Sequence, residues 1–121
     1  MGYIVNTIIV ALIIWFFIQR SMPAKGVDHI DANELKKMIK NKQYQLIDVR
    51  TPQEFTIDKI KGFKNIPLME LNNRLGELNK NKNIVLLCRS GARSNRAAKM
   101  LKKRGFTKLT NVRGGIVNYP K

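Results

Sequence analysis

From Tyr3 to Ile18 the chain carries no charge, and only Asn6 and Thr7 are polar. The rest of the run is built from Ile, Val, Leu, Ala, Trp, Phe and Tyr, apolar on every face a helix could present. At 1.5 Å per residue, about 18 helical residues span roughly 27 Å, close to the hydrocarbon thickness of a bilayer. Trp15, Phe16 and Phe17 fall near one end of the run and Tyr3 near the other, where aromatic rings favour the membrane interface. A cleaved signal peptide would need positive charge ahead of the run and small residues before a cleavage site. Met1-Gly2-Tyr3 and Ser21-Met22-Pro23-Ala24 supply neither pattern well. Residues 1–20 are therefore expected to form a transmembrane helix, 21–26 a short linker containing Pro23 and Gly26, and 27–121 one folded domain.

Orientation and partners follow from charge. Arg20 and Lys25 are the only charges before Val27, and both lie after the apolar run. Positive flanks stay inside, which predicts a single-pass protein of the cell membrane with its domain in the cytoplasm. Of the formal net charge of +15, the domain holds 21 basic and 8 acidic residues, or +13. Such a field attracts anions of any kind, and beside a membrane segment it points first to anionic headgroups. The basic residues are scattered and match no nucleic-acid motif, so nucleic acid is not an expected partner. One cysteine excludes an intrachain disulfide, and nothing clusters His, Cys and carboxylates as a metal site would.

Beyond the linker, helical and strand signals alternate. Asp31 to Glu34 resembles a capping box opening a helix to about Lys40, and Leu46 to Val49 reads as a buried strand. Thr51-Pro52-Gln53-Glu54 opens a second short helix, with proline at its first position. A short strand is expected within Gly62–Pro67, and Leu68, Leu71, Leu75 and Leu78 mark one face of a third helix. Ile84 to Leu87, the most apolar run, should be the central strand. Ser94 to Arg104 reads as a helix stopped at Gly105, and Leu109 to Val112 as a last strand. The expected fold is α/β: a small, mainly parallel sheet flanked by helices, preceded by one transmembrane helix.

The chemistry lies where the central strand meets the next helix. In open α/β sheets ligands bind at the carboxyl ends of strands. A short loop entering a helix can point backbone N–H groups inward as an anion nest, with partial positive charge from the helix end. Cys88, Arg89, Ser90, Gly91, Ala92 and Arg93 occupy that loop, with Gly91 giving backbone freedom and the two arginines formal charge. This setting favours a thiolate, the species that attacks sulfur and can then carry an extra sulfur atom as a persulfide anion.

Cys88-Arg89-Ser90-Gly91-Ala92-Arg93 resembles the active-site loop of the rhodanese family, C-R-x-G-x-R. Leu46 to Phe55 is similar to that family's D-V-R-x-x-x-E-[FY] segment, and Val112 to Ile116 to its terminal G-G-[IVLM] segment. The likeness runs from about Val27 to Tyr119. It implies a single-domain rhodanese fold and sulfurtransferase chemistry through Cys88, with Asp48 and Arg50 supporting the active loop. The implied substrates are a small anionic sulfur donor, such as thiosulfate or a persulfide, and a thiol or protein acceptor; no cofactor is required. Departures are Lys59 and Phe63, where relatives often carry histidine and a small residue, and the missing tryptophan after Ile116. Three alternatives stand beside this reading. One is a phosphatase or arsenate reductase with a related loop, although only four residues separate Cys88 from Arg93 where cysteine phosphatases have five. The others are a membrane-tethered binding module and a persulfide carrier without fast turnover. His29, the only histidine, is expected at the surface.

Overall fold

The computed structural model describes residues 2–120. Helix α1 runs Gly2–Ser21, and its side chains are exposed throughout. At 20 residues it is long and apolar enough to cross a membrane, as an anchor or a signal sequence would be. The folded part then alternates strands and helices: β1 (Asp28–Ile30), α2 (Ala32–Met38), β2 (Tyr44–Asp48), α3 (Pro52–Ile57), β3 (Lys64–Asn65), α4 (Leu68–Leu71), β4 (Asn83–Leu87), α5 (Ala92–Lys103) and β5 (Leu109–Val112).

The five strands form one parallel sheet in the order β1-β5-β4-β2-β3. Parallel neighbours need crossovers, and helices on both faces bury both sides of the central strand. Successive residues of β4 serve opposite layers. Ile84 and Leu86 pack with Ile47, Val49, Ala97 and Leu101, whereas Val85 and Leu87 pack with Ile30, Leu35 and Val112. Phe63, the large residue at an expected small position, is itself buried in the second layer. Lys59 lies over the Phe55 ring, 5.3 Å from its centroid.

Local chemistry explains most boundaries. Asp31 caps α2 by accepting from the Glu34 amide at 2.8 Å. Thr51 and Glu54 form a reciprocal capping box on α3 with Pro52 at its start. The leucine stripe from Leu68 to Leu78 is not one helix. It divides into α4 and a 3-10 turn at Leu75–Glu77. Asn72, Asn73 and Gly76 are weak helix formers. Arg74 holds the interrupted backbone by pairing with Glu70 at 3.4 Å and Glu77 at 2.6 Å. Strand β1 carried no strand reading in sequence, because three residues are too few for a periodicity. His29, expected at the surface, is half-buried within it. Its Nε2 lies 3.1 Å from the Ala24 carbonyl and its Nδ1 3.3 Å from the Asn111 amide nitrogen.

The segment after α1 does not hang free. Asn95 of α5 accepts from the Ala24 amide at 2.8 Å and donates to the Met22 carbonyl at 2.9 Å. Lys99 donates to the Gln19 and Arg20 carbonyls at 3.0 and 3.3 Å, and Lys102 donates to the Lys25 carbonyl. One face of α5 thus fastens the end of α1, with the Lys99 ammonium on carbonyls that a helix end leaves unpaired.

Candidate active site

Cys88 directly follows β4, the strand flanked by β5 and β2, and only 1% of it is exposed. The chain then turns through Arg89, Ser90 and Gly91 into α5. Gly91 is the N-cap of that helix at φ 101°, a left-handed conformation that suits glycine. Its amide donates to Cys88 Sγ at 3.0 Å. Ser94 Oγ stands 3.3 Å from the same sulfur and 3.1 Å from the Gly91 carbonyl. The sulfur therefore has a backbone donor and an adjacent hydroxyl at the start of a 12-residue helix. The amide and the helix end favour negative charge on sulfur, while the Ser94 hydroxyl, which donates to the Gly91 carbonyl here, can serve the sulfur by turning its proton. In sequence Ser94 marks only the start of a helix; its spacing of one turn beyond Gly91 is the signal for its place beside the thiol.

Arg89, Ser90 and Ala92 form the exposed rim of the loop. Arg93 does not stand free as a charge for a ligand. Its guanidinium makes a bidentate pair with Glu54 of α3, at 2.6 and 2.8 Å. The Arg93 hydrogen bond is the main reason the Glu54 carboxyl is lowered to a pKa of about 2, with the Thr51 capping bonds adding to it against partial desolvation. Glu54 raises the Arg93 pKa in turn. Glu54 is the site residue that sequence reasoning passed over. Its role in the capping box accounted for it completely, although it is also the glutamate of the D-V-R-x-x-x-E-[FY] segment.

Asp48 and Arg50 lie beneath this pair, at the carboxyl end of β2. Both are buried. Arg50 Nη2 reaches Asp48 Oδ2 at 2.7 Å, Nε bridges both carboxylate oxygens at 3.0 Å, and the Arg50 amide donates to Oδ1 at 2.9 Å. Nη1 donates to the Glu54 carbonyl at 3.3 Å, and Nη2 also donates to the Asp58 carbonyl. The pair does not hydrogen-bond the thiol. It ties β2 to the middle and the C-terminal end of α3, and α3 presents Glu54 to Arg93.

The third motif buttresses the loop from the other side. Gly115 adopts φ 65°, ψ −162°, a region essentially restricted to glycine. A Cβ there would overlap the Arg89 and Cys88 carbonyls. Ile116 and Val117 then donate to those carbonyls at 2.9 and 3.2 Å. The glycine pair lets one backbone approach another closely enough to bond it.

Residues 31–121 match the profile of the rhodanese-like domain. The chain belongs to the rhodanese-like family. A sulfurtransferase of Allochromatium vinosum is 34% identical over 92 residues, covering 75% of this chain and 86% of that protein. The uncharacterised protein YqhL of Bacillus subtilis is 46% identical over 72 residues, 60% of this chain but only 57% of its own length. A rhodanese-like domain protein from Staphylococcus aureus superposes with a TM-score of 0.72 at 30% identity, covering 78% of this chain and 93% of that structure. This is the rhodanese-like sulfurtransferase family, and the five-stranded parallel sheet is its fold.

Two outcomes follow for the site's scaffold. Asp48→Ala leaves a buried guanidinium unpaired and should destabilise the domain by about 3–5 kcal/mol, whereas Asp48→Ala with Arg50→Met should recover a large part of that loss in chemical denaturation. Glu54→Gln should lower the melting temperature at neutral pH. Because the folded carboxyl titrates below its ordinary value of 4.5, the contribution is complete above about pH 4.5. It is lost as pH falls towards about 2, so the wild-type and Glu54→Gln melting curves should converge over that window.

Proposed function

We propose that this rhodanese-like domain moves a sulfane sulfur through a persulfide on Cys88. The observation that carries the reading is the sulfur's position, 3.0 Å from the Gly91 amide, in the loop that opens α5. A Cys88 thiolate attacks the outer sulfur of thiosulfate or of a persulfide. The new S–S bond forms as the donor's S–S bond breaks, and sulfite or a thiolate leaves with the electron pair. An acceptor thiol, or cyanide in vitro, then attacks the outer sulfur of Cys88–S–S⁻ and regenerates the thiolate. No net redox partner is needed.

Each part of the loop has a place in this cycle. The Gly91 N–H and the Ser94 hydroxyl stabilise negative charge on sulfur before and after transfer. Arg89 on the exposed rim attracts anionic donors. Near-complete burial of Cys88 shields a persulfide from water and stray thiols. Arg93, occupied by Glu54, is a positioning residue that holds the first turn of α5 against α3. The four-residue spacing from Cys88 to Arg93 supports a loop sized for a sulfur atom over one sized for a phosphoryl group. Asp48 and Arg50 act on catalysis through the loop they support.

The apolar length of α1 supports a further part of the reading: residues 1–20 anchor the chain in the cell membrane, and the domain from 27 faces the cytoplasm. The fastening of residues 19–25 to α5 then holds the sulfur loop close to the bilayer surface.

The wild-type chain should transfer sulfur from thiosulfate or a cysteine persulfide to cyanide, read as thiocyanate. Cys88→Ser should lose at least about a thousandfold in rate while melting within a few degrees of wild type. Aryl phosphate hydrolysis without thiocyanate formation from either donor would replace the proposal with the phosphatase reading.

A further inference from the structure

A cavity of about 590 Å³ opens between the last turns of α1 and the loop that enters α5. Its polar wall includes Arg20, His29, Ser90, Arg96, Asn111 and Arg113, and no carboxylate lines it. Among the described residues none of the three arginines has a carboxylate within ion-pair distance, in contrast to Arg50, Arg74 and Arg93. Three guanidinium groups beside one cavity suit an anion, and phosphate above all.

Asn111 adds a second requirement. It is 4% exposed, and its Oδ1 is a buried side-chain acceptor with no hydrogen-bond partner among the described residues. Beside a neutral His29 ring the amide cannot be reversed. His29 Nε2 lies 3.1 Å from the Ala24 carbonyl, so it carries the ring proton and leaves Nδ1 as an acceptor. That acceptor needs the Asn111 NH₂, at 3.3 Å, which fixes Oδ1 as the unsatisfied atom. Buried polar atoms in native proteins are normally partnered. A fitting ligand therefore combines an anionic group with an O–H or N–H donor.

The apolar wall indicates the source of that ligand. Phe17 of α1 lines the cavity, and Ile13, Ile14 and Phe17 are all at least half exposed along the helix. An amphiphile could lay its chains on α1 with its headgroup in the cavity. Given the reading of α1 as a membrane helix, on which this inference rests, Arg20 and the cavity lie at headgroup depth.

We propose that the cavity is a headgroup site for an acidic glycerophospholipid of the phosphatidylglycerol type. The phosphodiester is held by Arg20, Arg96 and Arg113, and a headgroup hydroxyl donates to Asn111 Oδ1. Since Ser90 belongs to the same wall, an occupied site touches the rim of the sulfur loop.

The test uses the full chain in a nonionic detergent, titrated with monomeric dihexanoyl lipids and followed by calorimetry. Dihexanoyl-phosphatidylglycerol should bind saturably at one site. Dihexanoyl-phosphatidylmethanol, with equal charge but no hydroxyl donor, should bind at least about fivefold more weakly. Arg96→Gln with Arg113→Gln should weaken binding at least about tenfold. Lys36→Gln with Lys37→Gln, the same charge loss on the exposed face of α2, should change it less than about twofold. Equal losses from both double variants, or equal binding of the two lipids, would overturn the site. Glycerol phosphate binding as tightly as the lipid would identify a soluble phosphate ester instead and overturn the lipid assignment. Extraction of the chain from membranes by alkaline carbonate tests the α1 reading separately, because monomeric lipid needs no bilayer.

Discussion

The buried ion pair between Asp48 and Arg50 is the contact through which β2 and α3 support the sulfur loop. Two opposite charges are removed from water at the end of β2, an arrangement whose desolvation cost is offset only by thorough hydrogen bonding. Here the carboxylate takes both guanidinium and backbone donors, while the guanidinium also caps the Glu54 and Asp58 carbonyls. The pair is thus a short rigid strut from β2 to α3. Through α3 it sets Glu54, through Glu54 it sets Arg93, and Arg93 lies in the first turn of the helix that begins beside Cys88. Asn65 of β3 reinforces the strut by donating to the Asp48 and Arg50 carbonyls at 3.0 and 2.9 Å.

A second support meets the loop from β5. Gly115 removes the Cβ that would collide with the Arg89 and Cys88 carbonyls, and Ile116 and Val117 bond those carbonyls instead. The loop is therefore held by backbone bonds on one side and, through the Glu54–Arg93 pair, by α3 on the other, which leaves Arg89, Ser90 and Ala92 outermost. Three separated stretches of sequence converge on the loop that sets the Gly91 amide and the Ser94 hydroxyl beside the Cys88 sulfur.

Much of this was legible in sequence because the signals were local. The capping residues Asp31 and Thr51, Pro52 and the apolar run of β4 mark their elements through interactions within a few residues. The loop from Cys88 to Arg93 is contiguous, and so could be recognised as a unit. What was not legible depends on distant partners. The Glu54–Arg93 pair spans 39 residues, and the fastening of the α1 end to Asn95 spans more than 70. The leucine stripe after Pro67 suggested one helix because periodicity ignores Asn72, Asn73 and Gly76, which break it. His29 looked like a surface residue because its partners, Ala24 and Asn111, are joined only when β1 adds to β5.

The placement of α1 gives the sulfur site a fixed relation to whatever surface the helix occupies, through hydrogen bonds from Asn95, Lys99 and Lys102 of α5. The proposed chemistry turns on one atom, Cys88 Sγ, and its most direct measurement is the intact mass of the full chain before and after a sulfur donor. The account predicts a gain of one sulfur atom after thiosulfate or cysteine persulfide, localised to Cys88 and removed by cyanide. A chain that stays at its unmodified mass with every donor, while its thiol remains available to a small alkylating reagent, would contradict it.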